Sequence, residues 1–223
     1  MIRKKGALIC FVGIDGSGKT TICHEIIRKL NKKNIRVKYA WGGYELCILR
    51  PIVLILKKTY IKKKNSNNNY ISYISTIRKL NKKIILLYPY LFFTLMEYFI
   101  QIIFKIYIPL MRGYNIISDR YLFDFAINIK INCDINQQRA RNILKILFKF
   151  LPFPDRIFLV DVPENIAFQR KNDTPSLEYL ILRKELYKTI LKDYNPVHID
   201  GTDQIEKIID IVELNIINII NMH

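Results

Sequence analysis

Five short apolar runs punctuate the chain, and longer stretches with helical spacing separate them. Ala7-Leu8-Ile9-Cys10-Phe11-Val12 is unbroken, as a strand buried on both faces of a sheet must be. Ile35 to Trp41 reads as a second strand, with Asn34 as the turn before it and Gly42-Gly43 breaking it. A turn at Gly113 leads into the short run Asn115-Ile116-Ile117-Ser118, which ends on Asp119. Asp155 to Val162 and Val197 to Asp200 complete the set. Between them, helical spacing predicts helices over Thr21 to Asn31, Gln137 to Phe150, Ser176 to Asp193 and Gln204 to Asn221. Pro163-Glu164 opens another, in the first-turn arrangement of proline followed by an acid. Strands alternating with helices predict an α/β domain built on a five-stranded parallel sheet flanked by helices.

Three stretches depart from this rhythm. Ile84 to Leu110 is long and apolar, yet Thr94, Glu97, Gln101 and Lys105 recur at spacings of three and four, so they share one narrow stripe. Such a helix should pack on the sheet or on a second subunit and turn its stripe toward a cleft, bracketed by Pro89 and Pro109. A charged Glu97 in mid-span would be costly in lipid, which argues against membrane contact. Leu46 to Leu56, with Arg50 and Pro51 inside it, is expected to be a helix or its irregular start. Residues 57–83, with Lys62-Lys63-Lys64 before Asn65-Ser66-Asn67-Asn68-Asn69, read as a flexible basic insertion. Ile-Arg-Lys-Leu-Asn-Lys-Lys occurs at both 27–33 and 77–83, but the flanks do not match, so biased composition explains it better than a repeat.

The 223 residues, 50% of them hydrophobic, suit one domain spanning 1–223. Lys+Arg 36 against Asp+Glu 19 gives a formal charge of +17. The lysines are scattered and no arginine-rich strip appears, which favours phosphate-bearing small substrates over specific nucleic-acid binding. Cys10, Cys23, Cys47 and Cys133 lack paired spacing and suit a reducing cytoplasm. The apolar N-terminal run leads straight into a glycine loop without a cleavage-type site, so it is expected to be a strand rather than a leader.

That loop carries the chemistry. Gly13-Ile14-Asp15-Gly16-Ser17-Gly18-Lys19-Thr20 fits G-x-x-x-x-G-K-[ST], and it follows a strand and opens a helix, the context the motif requires. Its backbone N–H groups, with Thr21 in the first helical turn, would cradle ATP phosphates at the positive end of a helix dipole. Lys19 would reach the β- and γ-phosphates and the Thr20 hydroxyl would ligate Mg²⁺. Asp119, at the carboxyl end of its strand, could hold the same ion through water, with Arg120 gripping phosphate. Trp41 and Arg50 are expected to face the cleft beside the loop, the competing reading being a core tryptophan and a solvated arginine. Residues 168–178, with Arg170-Lys171-Asn172-Asp173-Thr174-Pro175 between two helices, read as a short lid over phosphates.

This order of parts resembles thymidylate kinase: Asp15 inside the glycine loop, Asp119-Arg120-Tyr121 after the third strand, Pro154-Asp155 to Pro163-Glu164 with Ala167 and Arg170, and the final Ile199-Asp200. The resemblance spans most of the chain outside 57–83. It implies the three-layer P-loop NTPase fold with a helical lid, ATP and Mg²⁺ as cofactors, transfer of phosphate to dTMP, a homodimer and a cytoplasmic location. By resemblance, Asp15 contacts the acceptor's 3′-hydroxyl, Asp119, Arg120 and Tyr121 serve Mg²⁺ and phosphate, and Arg170 contacts ATP. Lys19, Asp119, Arg120 and Arg170 are then the catalytic set. Asp15, Trp41, Arg50, Glu97, Arg120 and Tyr121 surround the acceptor.

Three departures bear on substrate. The family continues x-x-S-x-x-A-Y-Q after the Asp-Arg-Tyr, whereas here Asp124 stands at the serine position and Ile127, Asn128 and Ile129 at the last three. Glu97-Tyr98-Phe99 occupies the region where an acceptor-binding arginine is expected. The lid lacks the family's second arginine-rich element. Three activities therefore stand open: a nucleoside monophosphate kinase, a related phosphotransferase acting on another small acceptor, and a non-enzymatic nucleotide-binding module.

Overall fold

The computed structural model describes residues 5–45, 84–171 and 174–222. The expected Leu46 to Leu56 helix, Arg50, the basic insertion at 57–83 and Asn172-Asp173 within the lid lie outside them. In chain order the elements are β1 (Leu8–Val12), α1 (Lys19–Lys32), β2 (Val37–Trp41), α2 (Ile84–Ile102), a π-helical turn (Ile103–Tyr107), α3 (Ile108–Met111) and β3 (Asn115–Asp119). There follow α4 (Leu122–Cys133), α5 (Gln137–Phe150), β4 (Arg156–Asp161), α6 (Glu164–Arg170), α7 (Leu177–Leu191), β5 (Val197–Asp200) and α8 (Ile205–Met222).

All five strands are parallel, in the order β2-β3-β1-β4-β5. The central strand explains why its sequence lacks alternation. Leu8, Cys10 and Val12 enter the core on one face, and Ile9 and Phe11 enter the core on the other. Side chains of the π turn, α4 and α7 fill the first core, among them Ile106, Phe125 and Tyr187. Ile22 and Ile26 of α1 and Val212 and Ile216 of α8 fill the second. Phe11 and Phe158 stack across β1 and β4 with ring centroids 5.0 Å apart. Register then places the functional ends together. Phe11 pairs with Asp119, and Trp41 pairs with Asp119 from the other side, so the carboxyl ends of β1, β3 and β2 open on one edge.

The long apolar helix differs from its expected limits. Pro89 and Pro109 do not bracket it; both lie inside helical segments, and the rod runs from Ile84 to Met111. Pro109 has no N–H to give to the preceding turn, and the backbone ahead of it has widened, with the Ile108 N–H bonding to the Ile103 carbonyl five residues back. Gly113 in the left-handed region ends the rod, its N–H donating to Leu110 at 2.9 Å. The stripe of Thr94 and Glu97 points inward and is buried, whereas Phe93, Met96, Ile100 and Phe104 are exposed. Cys10, Cys23 and Cys133 are buried free thiols.

Candidate active site

The glycine loop leaves β1 at Val12 and enters α1 at Lys19, at the edge where the strand ends gather. Two glycines are required there for different reasons. Gly16 has φ +81° and lies so close to the Ala167 carbonyl of α6 that any Cβ would collide with it. Gly18, with φ +91°, has open space where its Cβ would be, so its demand is conformational alone. As the residue before α1 it turns the chain so that the helix's first N–H groups face outward.

Lys19 is buried under this loop, its ammonium donating to the Ile14 carbonyl at 2.6 Å and to Ser17 Oγ at 3.1 Å. Burial, reinforced by the Arg120 guanidinium, lowers its pKa to about 7. Lys19 thus bonds back to its own loop.

Thr20 Oγ1 donates to Asp119 Oδ2 at 2.5 Å, and the Tyr39 hydroxyl donates to the same oxygen at 3.3 Å. The other oxygen, Asp119 Oδ1, is buried without a hydrogen-bond partner among the described residues. A hydroxyl and an orphaned carboxylate oxygen side by side are the hard donors that Mg²⁺ takes, and the residues fit that ion. No group of three His, Cys, Asp or Glu side chains that could hold a metal occurs among the described residues.

Arg120 stands in the left-handed region with φ +69°. Its guanidinium bridges two carboxylates, Nη2 to Asp15 and Nη1 to Asp124 at 2.8 Å. Burial opposes the charge of Asp15, but Arg120, Arg183, Lys19 and Lys171 outweigh it and hold the carboxyl below its usual range. Asp15 also accepts the Tyr179 hydroxyl at 3.2 Å and lies 3.9 Å from Lys171 Nζ, so Lys171 after α6 and Tyr179 of α7 both reach the glycine loop through it. Arg170 donates to the Gly201 carbonyl at 2.9 Å, and Gly201 in turn packs beside the Ser17 carbonyl. Arg170, at the end of α6, thereby lies next to the loop, at the turn after β5.

The residues expected to face an acceptor are less closely gathered. Trp41 is partly exposed at the end of β2, with the Lys105 ammonium 5.5 Å from its ring. Glu97 is buried and accepts the Tyr44 hydroxyl at 3.0 Å, with Gln101 and Lys105 bonded to Glu45 alongside. Tyr121 departs from expectation. Its side chain is fully buried, its hydroxyl donates to the Pro152 carbonyl at 2.8 Å, and it belongs to the core rather than to a ligand surface. Beginning a helix immediately after the strained Arg120 turns Tyr121 into the sheet-helix core.

Sequence reasoning missed Tyr179, Arg183 and Tyr187, which α7 brings under the site. Arg183 Nη2 and the Tyr187 hydroxyl both donate to Asp124. The signal was available as spacing, since these three residues recur every four positions and so share one side of a helix.

An all-parallel five-stranded sheet, flanked by helices and carrying a glycine loop from its central strand into a helix, is the architecture of an α/β P-loop kinase fold. No protein-family model matches the chain. It is similar to the probable thymidylate kinase of Metallosphaera sedula, 32% identical over 117 residues that make up 48% of this chain and 57% of that protein. It is also similar to the thymidylate kinase of Plasmodium falciparum, 26% identical over 211 residues, 92% of this chain and 87% of the relative. The match thus spans little more than half of the Metallosphaera protein and most of the Plasmodium one. Both relatives are kinases by name.

Proposed function

We propose that the protein transfers the γ-phosphoryl group of ATP to a nucleoside monophosphate, dTMP to dTDP first among the candidates. The observation that carries this reading is the convergence, at one end of the sheet, of the Lys19 ammonium, the Thr20 hydroxyl beside Asp119, and the Arg120 guanidinium. Phosphoryl transfer asks for little covalent chemistry from a protein and much charge neutralisation and positioning. Lys19 exchanges its loop carbonyl for phosphate oxygens, and the first N–H groups of α1 hold the same phosphates. Arg120 meets the transferring or accepting phosphate. Thr20 and Asp119 would hold Mg²⁺, which would supply charge neutralisation on the donor phosphates when bound. An acceptor phosphate is already nucleophilic at neutral pH, so no general base is needed. Arg170 at the Gly201 turn is the donor-side lid contact, and one domain carries the whole reaction.

The similarity to two thymidylate kinases supports dTMP as acceptor. A second reading, phosphotransfer to a different small acceptor, is favoured by one observation: Glu97 is buried on the β2 side, where the resemblance expects an arginine. A carboxylate there repels phosphate and attracts a hydrogen-bond donor. A coupled assay with ATP and Mg²⁺ against a panel of nucleoside monophosphates and of small acceptors that are not nucleotides decides between them. Turnover of dTMP well above the other acceptors supports the first reading, preference for another acceptor supports the second, and no turnover of any monophosphate sinks monophosphate kinase activity. Lys19→Ala should reduce turnover by about 10²–10³, the usual effect of removing a group that stabilises developing charge.

A further inference from the structure

Asp124 stands outside the phosphate cradle, yet four side chains converge on it. Its Oδ1 accepts from Arg120 Nη1 at 2.8 Å, from Arg183 Nη2 and from the Tyr187 hydroxyl, and Asn128 Nδ2 lies 3.5 Å from its Oδ2. Arg183 is held a second time, donating from Nη1 to Asn128 Oδ1 at 2.6 Å. Asp124, Arg183 and Tyr187 are each no more than 3% exposed. Apolar side chains would fill such a volume at lower cost in desolvation, and breaking the group from one side would strand a buried charge. The other edge of the same Arg120 guanidinium has a different setting. Asp15, which takes Nη2, sits in the glycine loop at the cleft, sharing its carboxylate with Tyr179 and lying near Lys171.

One guanidinium thus has a fixed edge and an exchangeable edge. We propose that Asp124, clamped by Arg183 and Tyr187 of α7, is a positioning residue that anchors Nη1 of Arg120 while Nη2 leaves Asp15 for a substrate phosphate oxygen. The exchange rests on the phosphotransfer reading above. It leaves the Asp15 carboxylate open to a hydrogen bond from the acceptor, so phosphate arrival and acceptor orientation become one event. It also ties the helix behind the lid to the arginine in the site, because Tyr179, Arg183 and Tyr187 are successive turns of α7.

Two variants of the full chain test this. Tyr187→Phe removes one donor and leaves every charge paired. Asp124→Asn removes the anchor charge. Misplacing a phosphate-binding group by about 1 Å can cost on the order of 10²-fold, so Asp124→Asn should lower kcat about 100-fold and Tyr187→Phe about 10-fold, with the KM for ATP within about threefold. In ¹⁵N-arginine spectra, an ATP analogue with Mg²⁺ and a monophosphate should shift the Arg120 side-chain signal and leave that of Arg183 in place. Wild-type kcat in Tyr187→Phe overturns the proposal, as does an Arg183 signal that moves with ligand as far as that of Arg120. A fall in activity that only tracks the folded fraction overturns it too. If Asp124→Asn does not fold, Tyr187→Phe decides. If no monophosphate is turned over, the phosphotransfer reading fails by itself, and the arginine spectra still show whether one edge of Arg120 is fixed and the other exchangeable.

Discussion

Lys19 illustrates how a single residue carries both a cost and a function. Its ordinary value of 10.5 falls to about 7 in the folded chain, chiefly through burial. Between those two values the unfolded chain binds more protons than the folded one. Stability therefore rises with pH across that window, and the penalty is fully present below pH 7. Anionic phosphates would reverse the shift by pairing with the ammonium. Nucleotide binding at pH 8 should then take up protons, seen as a dependence of the calorimetric binding enthalpy on the ionisation enthalpy of the buffer. Lys19→Met should abolish that dependence, and an unchanged dependence would assign the proton to another group. The glycine loop was legible because its residues are contiguous. The cluster around Asp124 was not, since Arg183 and Tyr187 follow it by 59 and 63 positions and only the packing of α7 on α4 joins them. Asp124 looked like a departure from a serine, when it is the centre of a network. Tyr121 shows the opposite case. Adjacency to Arg120 suggested a shared ligand, but one residue further along a turn points to the opposite side.

At the level of elements, the strands were readable because parallel strands covered on both faces admit only apolar runs, as β1 does. Helix ends were less so. In the sequence Pro109 reads as a stop, yet the π turn ahead of it absorbs the missing hydrogen bond and the rod continues to Met111. The lid helix offers an element-scale test. Ser176 caps α7 by accepting the Tyr179 N–H at 3.2 Å, and the Tyr179 side chain reaches from that first turn to Asp15. Ser176→Ala should cost about 1 kcal/mol and loosen that turn. Amide exchange at Tyr179 should accelerate while β1 and β3 amides keep their protection, and the Asp15 contact should weaken with it. Uniform acceleration across the sheet would show that the cap supports the whole fold rather than the lid.

For the molecule as a whole, the long helical rod poses the question of what covers it. Phe92 to Met111 is long and apolar enough to cross a membrane, and a third of it is buried. The structure divides that stretch into two faces. Tyr98, Ile102, Ile106 and Leu110 are in the core, and the Tyr98 hydroxyl donates to the Gly42 carbonyl at 2.7 Å. Glu97 and Gln101 bond to the Tyr44-Glu45 segment beyond β2. Crossing a membrane would strip all of these contacts and place Glu97 in hydrocarbon. The opposite face exposes Phe93 at 54%, Met96 at 45%, Ile100 at 41%, Phe104 at 67% and Met111 at 52%, residues spaced by three, four or seven as one stripe. An exposed apolar stripe of that continuity marks an interaction surface, and a second copy of the same helix presents a complementary one. We propose that a homodimer forms through this face, in keeping with the resemblance. Sedimentation at rising concentration should show dimer for the unmodified chain and monomer for Met96→Glu with Phe104→Glu. The double variant should keep its unfolding midpoint within a few degrees when measured as a monomer, because neither side chain is in the core. A chain that remains monomeric at all concentrations but floats with neutral phosphatidylcholine vesicles would assign the stripe to a lipid surface instead.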